Sequence, residues 1–173
     1  MHRILPSMMT MYQEKEIKEY FKKHDIPYRL YEHKAVFTVE DVHRHAIHGE
    51  GVVGSKNLFL TNLEHKRFFL YTLPDFMRAD LKAFAEQVGE KKVQFGSPEE
   101  LMTYLQLTPG SVSLCGLLND TEKKVEVYVH ETIYEAPLMH MHPNVNTASM
   151  ELTNDALLRY FSSLARDIHL VHA

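Results

Sequence analysis

The chain has one cysteine, Cys115, and that scarcity excludes an internal disulfide framework and a thiolate-rich zinc site. Stability must come from packing. No run approaches the roughly 20 consecutive apolar residues that a membrane-spanning helix requires, and Met1 to Thr10 carries no long apolar segment with a small-residue cleavage site. A cytoplasmic protein with no membrane partner is expected. Cations are not in excess either. The net charge of -4 removes the driving force by which basic surfaces hold duplex DNA, but it leaves room for a small footprint on a terminal nucleotide. Repeats, low-complexity segments and Pro/Gly/Ser-rich linkers are also missing. At 173 residues and 45% hydrophobic content the chain reads as a single domain, 1–173.

What is present is a mixture of helical and strand patterns. Ile17, Tyr20, Phe21 and His24 recur at helical spacing and predict a helix over 13–24, which Pro27 prevents from continuing. Residues 28–33 alternate like a strand. Thr38, followed by Glu40 and Asp41, predicts the start of a second helix that ends before Gly49. Residues 57–60 and 67–73 flank a polar loop and read as a hairpin. Leu81, Phe84, Ala85 and Val88 form the next helical stripe, and 92–95 is a short strand. Ser97-Pro98-Glu99-Glu100 then supplies an N-cap, a proline at the first helical position and a reciprocal glutamate; the helix runs through Leu101, Tyr104 and Leu105 to a stop at Pro109-Gly110. Residues 111–118 and 124–129 are expected to pair as strands around Asn119-Asp120, and a last helix carries Leu157, Tyr160, Phe161 and Leu164. This order predicts a mixed α/β (α+β) fold with a largely antiparallel sheet or barrel rather than a doubly wound parallel sheet.

Several familiar catalytic signatures are absent. Gly49-Glu-Gly-Val-Val-Gly54 spells a dinucleotide fingerprint, but it lies between a helical pattern and a strand pattern, so no helix N-terminus would face a pyrophosphate; no cofactor is expected. There is no Gly-x-Ser-x-Gly elbow and no His-Glu-x-x-His. The twelve histidines include His43-Arg-His45 and His140-Met-His142, neither with a carboxylate third ligand at helical spacing, and no metal is expected. The polar candidates that remain stand at segment ends. Lys56 follows small residues at the mouth of an apolar strand, where a cation can meet a phosphate or a developing oxyanion. Gly110 can take positive φ and bring backbone amides close to a ligand, and Asn144 and Asn146 can hold either a loop or a substrate.

Four segments, in their order and spacing, resemble the YbaK/prolyl-tRNA-synthetase-associated editing family: His33-Lys-Ala-Val-Phe-Thr38, Gly54-Ser-Lys56-Asn-Leu-Phe-Leu60, Pro109-Gly-Ser-Val-Ser-Leu-Cys-Gly116 and His142-Pro-Asn-Val-Asn-Thr147. The likeness runs from about Glu14 to the last helix. It implies a mixed barrel-like β-sheet surrounded by helices, and a hydrolase that clears a mischarged small amino acid from tRNA, with alanine on proline tRNA as the main expectation and cysteine as the alternative. A non-catalytic module that binds aminoacyl-tRNA or a synthetase is a further alternative, and a histidine-based metallohydrolase another. Mischarged tRNA is the expected partner, gripped at its acceptor end, with prolyl-tRNA synthetase a second candidate. By residue, the resemblance gives Lys56, Gly110 and His142 the catalytic positions. It puts Thr38, Ser111, Leu114, Gly116, Asn144 and Asn146 around the substrate. The sequence departs from the family pattern at Leu114, where a loop proline is usual.

Overall fold

The computed structural model describes residues 11–35 and 51–172. The expected second helix, with Thr38, His43 and His45, lies outside the described residues. Helix α1 (Glu14–Lys23) buries Ile17 and Phe21, and Gln13 opens it with a capping box closed by Glu16. His24, expected on the buried face, is instead the exposed C-cap, its ring 4.1 Å from that of Tyr20. Strand β1 (Arg29–Glu32) follows.

The hairpin appears as β2 (Val53–Asn62) and β3 (Phe68–Pro74), longer than its apolar core suggests because the pairing continues through Ser55 and Pro74. Helix α2 (Leu81–Val88), strand β4 (Val93–Phe95) and helix α3 (Pro98–Leu105) come next. The predicted capping box at Ser97 and Glu100 is present. Helix α3 ends at Gln106, in left-handed conformation, rather than at Pro109-Gly110.

Two expectations are corrected beyond this point. Residues 114–119 are not a strand but a 3-10 helix, begun by the Ser113 hydroxyl accepting the Cys115 amide; Leu114 to Asn119 are all buried, so there is no alternation to sustain a strand. The segment after it, β5 (Val125–His130), therefore has no hairpin partner and lies parallel to β3 on one side and to β8 (Ile168–Val171) on the other. Between them come the single-turn helix α4 (Glu131–Tyr134), β6 (Leu138–Met141), β7 (Ala148–Thr153) and helix α5 (Asn154–Ser163).

The sheet runs β1-β7-β6-β2-β3-β5-β8, with β4 paired to β2. It is mixed rather than largely antiparallel, because β2–β6, β3–β5 and β5–β8 are parallel contacts made through crossovers. One face carries the larger core, in which Phe59, Phe68, Val125, Val127, Met139, Met141 and Met150 pack against α1, α5 and the 3-10 turn. The opposite face carries a smaller core of Leu60, Phe69, Tyr71 and Tyr128 under Phe84 and Val88 of α2.

Candidate functional site

Strand register determines which side chains can meet. Gly54 of β2 is paired with His140 of β6, and His140 with Glu151 of β7, so alternation along each strand sets Lys56, His140 and Glu151 on one face. Arg29 and Tyr31 of β1 join them through Glu151 and Ser149. This is the face that carries the smaller core, but here, away from α2, it is polar. Its histidines are tied down. His140 is buried and its Nε2 donates to Glu151 Oε2 at 3.1 Å, while His33 Nε2 shares a 2.9 Å hydrogen bond with Ser149 Oγ. Neither partnership is visible in the sequence, where Glu151 and Ser149 lie in a strand that no pattern announces.

Lys56 is half-buried near the start of β2, opposite Leu73 of β3. The residue before it is fastened to β6, where Ser55 Oγ donates to the His140 carbonyl at 2.7 Å. His142 leaves the end of β6 half-buried, and its Nδ1 donates to the Ala148 carbonyl at 3.2 Å. The Gly110 loop reaches it through a residue that no sequence motif singles out. Ser113, fully buried, donates its hydroxyl to the His142 carbonyl and accepts the Cys115 amide with the same oxygen. One hydroxyl thus joins two segments that are distant in sequence. Ser113→Ala should cost about 1–3 kcal/mol by leaving the Cys115 amide without its partner. It should also loosen the loops enough to change substrate preference. Thermal melts and a selectivity ratio measured on the same preparation check both halves; an unchanged ratio would show that the link is structural alone.

Gly110 is exposed at φ +90°, a conformation that suits glycine, and Ser111 beside it is half-buried with its amide donating to the Thr108 carbonyl at 3.1 Å. Leu114 and Gly116 face elsewhere. The Leu114 side chain is fully buried in the larger core and its carbonyl accepts the Tyr160 hydroxyl at 2.7 Å, so it supports the loop from behind. A Cβ on Gly116 would come within 2.6 Å of Leu107 Cδ1, so any side chain here has to displace the buried Leu107. Burial pushes the Cys115 thiol up to about 12, so it holds its proton at neutral pH and is no nucleophile.

Asn144 holds its own loop. At φ +60° and nearly buried, it donates Nδ2 to the Tyr12 carbonyl at 2.9 Å, and the Tyr12 amide in turn donates to Asn119 Oδ1 at 2.7 Å. Asn146 is half-buried in the same loop. Thr38 lies outside the described residues. Among the described residues, no three His, Cys, Asp or Glu side chains are grouped to hold a metal ion, and no helix is long and apolar enough to cross a membrane. What the geometry offers is a half-buried cation, a loop of exposed backbone and a histidine-bearing loop, held in fixed relation by Ser55 and Ser113.

Known proteins are similar to this chain in sequence and in fold. The family model for the aminoacyl-tRNA editing domain matches residues 33–160. The prolyl-tRNA editing protein ProX of Acetoanaerobium sticklandii is 33% identical over 132 residues, which is 76% of this chain and 80% of that protein. A prolyl-tRNA synthetase associated domain-containing protein of Danio rerio is 31% identical, covering 84% of this chain and 79% of its own. In fold, the chain is similar to a solved structure described as a candidate trans-editing enzyme for prolyl tRNA synthetase. The TM-score is 0.68 at 16% identity, with 96% of this chain and 99% of that one covered.

Proposed function

The chain belongs to the aminoacyl-tRNA editing domain family, and from that premise we propose that it is a trans-editing deacylase that hydrolyses the ester of alanine mischarged onto proline tRNA. The observation that carries the reading is the register of β2 against β6, Gly54 opposite His140, which sets Lys56 beside the strand leading into His142. An aminoacyl ester is already activated by its neighbouring ammonium group, so an editing site needs orientation and electrostatic help more than a strong nucleophile. Water attacks the ester carbonyl. Backbone groups of the exposed Gly110 turn surround the ester carbonyl, and Lys56 binds phosphate of the terminal nucleotide or steadies the charge that develops on the ester. The free hydroxyl of the terminal ribose helps to position the water.

Selectivity follows from size. A second sieve admits the smaller side chain and refuses the larger. Forcing extra methylenes into a packed site costs about 1–3 kcal/mol, or roughly 5- to 150-fold in rate, so the proline ring should be refused by at least that margin. The test is deacylation of proline tRNA carrying alanine, serine, cysteine or proline by the purified chain. Alanine should be released fastest and proline spared; equal release of the two removes the sieve, and fastest release of cysteine moves the specificity to that amino acid. The editing unit is the whole chain, 1–173, since Ile17 and Phe21 before the matched segment and Val171 after it belong to the two cores. Its place is the cytoplasm, with mischarged tRNA as substrate and prolyl-tRNA synthetase as the candidate partner.

A further inference from the structure

Phe76 is 69% exposed, an unusual position for a large apolar ring. It lies in the turn that follows β3, and that turn is fastened to the segment leading into Lys56: the Asp75 amide donates to the Gly54 carbonyl at 2.9 Å, and Pro74 is paired with Ser55. From Phe76 to Asp80 exposure alternates. Met77 and Ala79 pack inward against the smaller core, while Phe76 and Arg78 face solvent together. An exposed aromatic ring and a cation two residues apart, at the edge of a site that holds a second cation, match the composition of surfaces that stack an unpaired base and hold its phosphate. A protein partner fits less well. Stable interfaces bury on the order of 1,000 Å² or more, whereas this ring is flanked by the charged residues Asp75, Arg78 and Asp80.

We infer that Phe76 and Arg78 form a shelf on which the unpaired terminal base of the acceptor strand stacks, holding the esterified ribose over the Lys56 end of β2. This rests on the function proposed above and adds to it a base-binding subsite. Phe76 is a positioning residue, acting on the substrate's base rather than on the ester. Phe95 supplies an internal control. It is 60% exposed but paired with Leu60, four residues along β2 from Lys56 and about 13 Å away.

The chain contains no tryptophan, so Phe76→Trp and Phe95→Trp each create a single indole fluorophore. Titration with the trinucleotide C-C-A should quench the Phe76→Trp protein to saturation and leave the emission of the Phe95→Trp protein unchanged. The same trinucleotide lacking its terminal base should bind at least about tenfold more weakly. In turnover, Phe76→Ala should raise KM for mischarged tRNA about 5- to 150-fold with kcat nearly kept, and Phe76→Tyr should restore it. No quenching of the Phe76→Trp protein, equal quenching of the two variants, or an unchanged KM in Phe76→Ala overturns the shelf. Because the titration needs no turnover, it reads base binding even if the wild type hydrolyses no mischarged tRNA, the result that would sink the proposed function instead.

Discussion

Lys56→Ala is expected to lower the deacylation of mischarged tRNA about 100-fold or more while the protein stays folded. The magnitude is that of removing one preorganised charge or donor from the place where charge develops in a transition state. Position decides the effect. Lys56 stands half-buried on the polar part of a sheet face, beside a backbone fixed by Ser55 and opposite Leu73. Its methylenes contribute little to either core, and melting should move by a few degrees at most. Lys56→Arg separates two roles: a cation needed only for phosphate tolerates arginine, whereas one fitted to a single oxygen does not, since the guanidinium is broader and forked. Rates with mischarged tRNA, beside a melting curve for each variant, make the measurement. Undiminished hydrolysis by a folded Lys56→Ala protein would overturn the role given to this residue.

The largest effect on stability is expected away from the site, at Asp120. Its carboxylate accepts the amides of Lys124 and Val125 at 3.0 and 2.9 Å and pairs with Arg166 at 2.8 Å, with both side chains almost fully buried. Asp120→Ala leaves a buried guanidinium without its counter-charge and two amides without acceptors, a change that costs about 3–5 kcal/mol. For a chain of this size that is a fall in Tm of roughly 6–20 °C. Arg166→Met should cost less, because the carboxylate it leaves without a counter-charge still accepts two amide hydrogen bonds, whereas Asp120→Ala strands the guanidinium and both amides together. A melting temperature that Asp120→Ala does not move would show that the pair contributes nothing net.

Local features are legible in the sequence where a single segment decides them. The Ser97–Glu100 capping box, the stripes of α1 and α2 and the hairpin at β2–β3 need no distant partner to be recognised, and each is present in the fold. Strands β6, β7 and β8 are not legible in this way. They are four to six residues long, and what makes them strands is their neighbours in the sheet, which periodicity within a segment does not report. The expected pairing of 111–118 with 124–129 fails for a related reason, since valine alternation announces a strand without saying whether its partner is adjacent in sequence. The candidate site shows the same division. Lys56 and Gly110 stand out by residue type and setting. Ser113, Glu151 and Ser149 are ordinary residues whose importance comes from what they touch, and Leu114, expected in a substrate wall, faces the core because the loop turns as a 3-10 helix at that point.

Strands β2 and β6 are joined over just two residue pairs, Val53 with Met139 and Gly54 with His140. So short a ladder distinguishes poorly between neighbouring alignments, and a parallel strand displaced by one residue turns each of its side chains to the other side of the sheet. Such a slip would send His140 into the apolar layer and draw Met139 and Met141 out beside Lys56. The hydroxyl of Ser55, bonded to the carbonyl of His140, adds a further tie at this short ladder, and the four pairs that β6 makes with β7 hold its alignment from the other edge. The setting of Lys56 against β6 thus depends less on the two strands' own ladder than on what clamps β6 from its far side, so substitutions in β7 should reach the Lys56 face without touching it.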